Sequence, residues 1–212
     1  MTAEERALQA RRRSEWVGWL IPASLAVAFT AIIWLAPNER LLGSGIKAVY
    51  AHVALMWTGM LGFAVAGLLG LALAILARPL LQSWMRAVGW VALAFYAAGA
   101  AMSIVAAHVN WGGVLWSEPR MSATLIGLAV SAIVLVVSGW LPWRRAQGLL
   151  GAGLAAYLIV SLRSAPLLFH PPNAVEASSS VAIQLTFAAL FGLSGAAAVW
   201  LIGFVRRRWP GP

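Results

Sequence analysis

Six long apolar runs, separated by short polar or proline-containing breaks, restrict this chain to very few folds. The first, Trp16 to Ala36, is 21 residues long, carries no charge and ends at Pro37-Asn38-Glu39-Arg40. About 20 apolar residues cross the roughly 30 Å hydrocarbon core of a bilayer as a helix. A cleaved signal sequence has an apolar stretch of only about 7 to 15 residues and then a small-residue cleavage site. The first run is therefore expected to remain as a spanning helix. The later breaks put helices at about 46–77 (stopped by Arg78-Pro79), 83–108, 119–141, 146–162 and 178–205. Pro119 suits a first helical turn, and Ser178-Ser179-Ser180 suits an N-cap.

Composition agrees with this pattern. Hydrophobic residues make up 62% of the chain, charged residues only 10%, and there is no Asp. Soluble domains carry about 25% charged residues. The apolar runs are continuous, without the alternation of barrel strands, and lipid cannot satisfy an open backbone. The expected fold class is all-α: one six-helix transmembrane domain over residues 1–212. The net charge of +9 is distributed as a topology signal, and no nucleic-acid partner is expected. Eleven of the fifteen Lys and Arg fall at the N-terminus, at Arg78 and Arg86, at Arg144 and Arg145, and at Arg206 to Arg208. The positive-inside rule then makes both termini cytoplasmic. Loops 37–45, 109–118 and 163–177 face outward, and all three histidines, His52, His108 and His170, come to the outer face. The chain has no Cys, which removes disulfides, thiolate metal sites and thioether attachment of haem.

The most polar and aromatic break is His108-Val109-Asn110-Trp111-Gly112-Gly113-Val114-Leu115-Trp116-Ser117-Glu118-Pro119-Arg120. In a helix of about 45 Å, His52 lies roughly 38 Å from the inner edge, at the outer interface. It shares a face with Ala66 and Gly70, so it is expected to point at a packed neighbour. Gly62, Ala66, Gly70 and Ala74 form a small-residue ladder of the kind that lets helices approach closely in lipid. His170 sits in Phe169-His170-Pro171-Pro172, where two prolines stiffen the loop. Two histidines from different elements at one surface meet the first requirement of an axial pair on haem iron. Each alone also reads as an ordinary helix-end or loop histidine. Trp111 and Trp116 offer flat faces for a porphyrin, or mark an interfacial aromatic belt. Gly112-Gly113 permits close backbone approach, and Arg120 with Asn110 matches a propionate. Glu118 and Arg120 stand two apart at a helix start, where an acid favours the dipole and an exposed pair contributes little. The sequence shows no nucleophile or paired carboxylates, so no catalytic residue is assigned and no enzyme activity is expected.

Three features resemble the cytochrome c assembly protein family of haem-handling membrane proteins, and within it the six-helix CcmC type. Tyr50-Ala51-His52-Val53-Ala54-Leu55-Met56-Trp57 is similar to that family's Tyr-x-His-Val-x-x-x-Trp. Trp111 to Ser122 aligns without a gap to its tryptophan-rich motif, Trp-Gly-x-Trp-Trp-x-Trp-Asp-x-Arg-Leu-Thr. Trp111, Gly112 and Arg120 are kept; Val114, Leu115 and Ser117 replace tryptophans, Glu118 replaces Asp, Ser122 replaces Thr, and Trp116 is displaced by one position. His170 stands where the family has its second histidine. The resemblance implies haem b held transiently at the outer face of the bacterial cytoplasmic membrane. His52 and His170 would be the iron ligands, and Trp111, Gly112, Trp116, Glu118 and Arg120 the haem platform. It implies hand-over to a membrane-anchored haem chaperone during cytochrome c maturation. A small one-helix accessory subunit and ABC transporter subunits would be further partners. Two other readings stand beside it: a relative that kept the fold as a haem-free assembly subunit, and a permease-like transporter subunit. The second has little in its favour at mid-helix, where Gln184 and Thr186 are the exceptions to an apolar lining.

Overall fold

The computed structural model describes residues 3–166, 175 and 178–208, with side chains described from Gly18 onward. Among these residues the fold is six α-helices: α1 (Ala3–Leu35), α2 (Ile46–Leu76), α3 (Pro79–Trp111), α4 (Pro119–Trp140), α5 (Arg144–Ser164) and α6 (Val181–Arg208). There is no strand among them, only an isolated antiparallel bridge between Glu39 and Gly43 in the α1–α2 connection. All six helices are long and apolar enough to cross a membrane, which makes this a multi-pass membrane protein. The all-α, six-helix expectation is met.

Several helix ends differ from those expected, each for a local reason. Helix α1 starts at Ala3 rather than near Trp16. Its first residues are mostly good helix formers, and extending an existing helix adds one bond per residue without a new nucleus. Arg78-Pro79 does not end a helix with a loop after it. Pro79 is the first residue of α3, where its missing N–H is no loss, and only Ala77 and Arg78 separate the two helices. Ala77 takes a left-handed conformation (φ 52°) and donates its N–H to the Leu73 carbonyl at 2.8 Å. Helix α3 also continues past His108 to Trp111, and Gly112 (φ 73°) closes it by donating to the His108 carbonyl at 2.9 Å. Helix α5 is longer than expected at both ends. The serine cluster lies just outside α6. The Ser180 carbonyl accepts the Gln184 N–H at 3.2 Å, and Ser178 Oγ accepts the Ser180 N–H at 3.2 Å.

Helix α2 is the central element and packs against α3, α5, α6 and α1, while α4 lies over α3 and α5. Small residues explain the closeness of two of these contacts. A methyl added at Gly59 would stand 2.6 Å from the Tyr96 backbone nitrogen, and one at Gly62 would stand 2.8 Å from Ala92 Cβ, both on α3. On the other flank, Gly70 meets the Gly148 carbonyl of α5 at 2.6 Å from its would-be Cβ, and Gly148 meets the Gly70 carbonyl at 2.5 Å. The ladder seen in the sequence is thus a packing feature, with its members divided between two neighbours. Tyr96 sits at the centre of the α2–α5 half. It is fully buried, its ring lies edge-on to Phe63 at 5.9 Å, and its hydroxyl donates to the Thr124 carbonyl of α4 at 3.4 Å.

Both terminal helices bring their terminal halves to one end of the bundle. Trp19 packs on Trp200 and Phe204 (5.7 and 5.3 Å between centroids), and the Arg206 guanidinium lies 4.1 Å over the Trp84 ring. At this end Gln82 Nε2 donates to Gln147 Oε1 (2.8 Å), Arg144 Nε donates to Gln82 Oε1 (3.0 Å), and Gln147 Nε2 donates to the Leu141 carbonyl (2.6 Å). The opposite end carries His52, Trp111 and Arg120. It is tied by Lys47 Nζ donating to the Trp34 carbonyl at 2.6 Å and Asn110 Nδ2 donating to the Gly45 carbonyl at 3.2 Å.

Candidate functional site

His52 lies in the second turn of α2, half-buried, on the side that meets α3. Its Nδ1 is 2.8 Å from the Gly99 carbonyl. A carbonyl only accepts, so Nδ1 carries the hydrogen, and in this tautomer the Nε2 atom holds the lone pair. The contact exists because Gly99 has no side chain. A Cβ there would stand 2.7 Å from the Met56 backbone nitrogen, one turn along α2 from His52. The close helix approach and the ring orientation therefore have one cause. The expectation that His52 points at a packed neighbour holds. The residue that orients it, Gly99, escaped the sequence reading. Its signal was the small-residue run Ala97-Ala98-Gly99-Ala100-Ala101 on α3, the counterpart of the ladder on α2.

The aromatic break is shorter than expected, because His108 to Trp111 belong to the last turn of α3. Trp111 and Trp116 are 38% and 61% exposed, so each presents indole surface outward. Gly112 serves as the left-handed cap of α3, a backbone conformation in which any side chain would be strained. A Cβ at Gly112 or Gly113 would meet nothing within 4 Å, so close approach to another part of the described chain is not their role. His108 is exposed and lies nine residues from Gly99, about half a turn round α3, away from the His52 contact.

Glu118 and Arg120 depart from the exposed pair expected of them. Glu118, at the N-cap of α4, is only 1% exposed. Arg120 is half-buried, and its Nη2 donates to the carbonyls of Leu162 (3.2 Å) and Ala165 (3.1 Å) at the end of α5. Asn110, expected beside it as a propionate donor, instead gives its amide hydrogens to the carbonyls of Gly45 (3.2 Å) and Ala106 (2.8 Å). Its side chain fills the space over Gly45, where a Cβ would collide with Asn110 Oδ1.

His170 lies outside the described residues. Val175, five residues further on, is buried in a cluster with Ile46, Tyr50 and Ala54 of α2 and Ile183 and Leu190 of α6. Among the described residues no three His, Cys, Asp or Glu side chains come together as a metal cluster. In the same half of the molecule, outside the spanning segments, the Glu39 carboxylate accepts the N–H groups of Leu41 (2.7 Å) and Leu42 (2.9 Å). The hydrogen bond from Leu42, before its other causes, lowers its pKa below the ordinary 4.5. No protein-family model and no curated protein matches this chain.

Proposed function

We propose that this protein handles haem for cytochrome c maturation, as a divergent member of the CcmC type. In this reading it holds haem b between His52 and His170 and passes it to a membrane-anchored haem chaperone. The observation that carries the proposal is the hydrogen bond from His52 Nδ1 to the Gly99 carbonyl. Histidines that ligate metals almost always donate their other ring nitrogen in this way, which fixes the ring and raises the basicity of the ligating atom. The residues present fit the group. Nε2 of His52 is the ligand atom, and Trp111 and Trp116 offer apolar ring surface at the same end of the bundle. Bound haem would supply an iron that accepts axial nitrogen ligands.

The second ligand, His170, is taken from the resemblance. Helices α5 and α6 do not pack on each other among the described residues. Val175 is buried in one cluster with Tyr50, two residues from His52. The distribution of basic residues supports cytoplasmic termini and this end facing outward, in a bacterial cytoplasmic membrane. An accessory one-helix subunit and ABC transporter subunits belong to the same reading.

The test is the absorption spectrum of the detergent-purified protein with added haem, oxidised and reduced, beside His52→Ala and His170→Ala. The expected result is a six-coordinate bis-histidine spectrum in the wild type and a five-coordinate one in each variant. A wild type that takes up no haem would overturn the proposal. It would leave a haem-free assembly subunit, a reading that the replaced tryptophans and the backbone-bound Asn110 and Arg120 favour.

A further inference from the structure

Arg120 is the most committed cation of the histidine end. It stands in the first turn of α4, directly after the aromatic loop, yet its Nη2 reaches two carbonyls of another helix end, Leu162 at 3.2 Å and Ala165 at 3.1 Å. The last carbonyls of a helix have no intrahelical partner and carry the negative end of the helix dipole. A guanidinium that serves two of them is a cap supplied from a different element. Arg120 Nε is buried and has no hydrogen-bond partner among the described residues, so the guanidinium stem is enclosed rather than free to swing outward. Releasing the side chain to meet an external carboxylate would orphan both carbonyls. Beside it, Glu118 is buried at the N-cap of α4, which fixes the end of the aromatic loop at the same point.

We propose that Arg120 is a positioning residue that ties the end of the loop carrying Trp116 to the end of α5, and so fixes where that helix ends. It does not act as a partner for a haem carboxylate. What it positions rests on the haem-handling reading, but the tie itself does not. From Ala165 onward the chain leads to Val175, which is packed against Tyr50 and Ile46.

Two measurements on the full-length protein in detergent separate the possibilities. The first is amide hydrogen exchange without haem, for the wild type, Arg120→Gln and Arg120→Lys. Peptides covering residues 158–166 should exchange roughly tenfold faster or more in Arg120→Gln, given the strength of charge-assisted bonds, and less so in Arg120→Lys. Peptides spanning the Gly59–Tyr96 contact should be unchanged, which shows that the fold is intact. Unchanged exchange at the end of α5 in a folded Arg120→Gln protein would overturn the tie. The second compares haem with its dimethyl ester, which lacks free carboxylates. The ratio of the two affinities should be the same in wild type and Arg120→Gln. A preference of tenfold or more for the free acid that disappears in Arg120→Gln would make Arg120 a propionate partner and overturn the proposal. Failure of the wild type to bind either compound would remove the haem-handling reading, while the exchange measurement would still decide the tie.

Discussion

The two ends of the bundle use polar side chains in opposite ways. At the glutamine end, Gln82, Gln147 and Arg144 bond to one another and the loose end of the set goes to the Leu141 carbonyl. At the histidine end, Lys47, His52, Asn110 and Arg120 each donate to a backbone carbonyl of another element. A closed side-chain set fixes helices relative to one another and leaves little chemistry over. A side chain that donates to a backbone carbonyl of another element is aimed by that carbonyl and ties the two elements together. The first arrangement joins side chains to one another, and the second joins side chains to backbone.

The sharpest way to break the contrast is Gln147→Leu. It orphans the buried Gln82 amide and the Leu141 carbonyl, and buried orphans cost about 1–3 kcal/mol each. We expect a loss of about 3 kcal/mol in thermal unfolding in detergent, with haem uptake unchanged. Gly99→Ala tests the other end. Its Cβ would stand 2.7 Å from Met56 N, and overpacking of this kind costs about 1–3 kcal/mol. Here the stability loss, about 2 kcal/mol, should come with a haem spectrum altered towards five-coordinate. An unaltered spectrum would mean that the Gly99 carbonyl does not orient His52.

Thr58→Val probes the middle of the bundle. Thr58 is buried and shares a 2.7 Å hydrogen bond with Ser194 of α6. Hydrogen bonds between membrane helices average about 0.6 kcal/mol, so a comparably small fall in stability is expected, with neither end affected. The smallest effect concerns Glu39. Its pKa is lowered in the folded state, first by the Leu42 hydrogen bond. The carboxylate therefore supports the α1–α2 turn at pH above 4.5, and that support is lost as pH falls through the lowered value. Amide exchange of Leu42 should rise in that acid range in the wild type. In Glu39→Gln it should lack that step.

The apolar runs made the helices legible, because a bilayer leaves a backbone few choices. The boundary errors came from reading each proline and glycine in one role only. Pro79 breaks α2 and begins α3, and Gly112 is a helix cap rather than a place of close approach. The ladder on α2 was visible, but its partners were not, since Ala92 and Gly148 acquire meaning only once the helices are paired. Arg120 and Asn110 were recognisable as hydrogen-bond donors to an acceptor at this end. Sequence offers no way to tell a carboxylate from a helix-end carbonyl, since both present oxygen to the same donor. The Gln82–Gln147 pair was passed over because both residues sit beside arginines at helix starts, where polar residues read as topology signals.

The two-residue turn between α2 and α3 has a consequence for the order in which the protein is made. Chains fold from the N-terminal side as synthesis proceeds, and contacts between neighbours in sequence form soonest. His52 and Gly99 belong to one helical hairpin, so the bond between them requires nothing beyond Trp111. A nascent chain of roughly half the final length already holds an oriented imidazole, before α4, α5 and α6 have been synthesised. The second histidine is delivered by a later helix pair. The oriented imidazole is thus present before the helices that complete this end of the bundle.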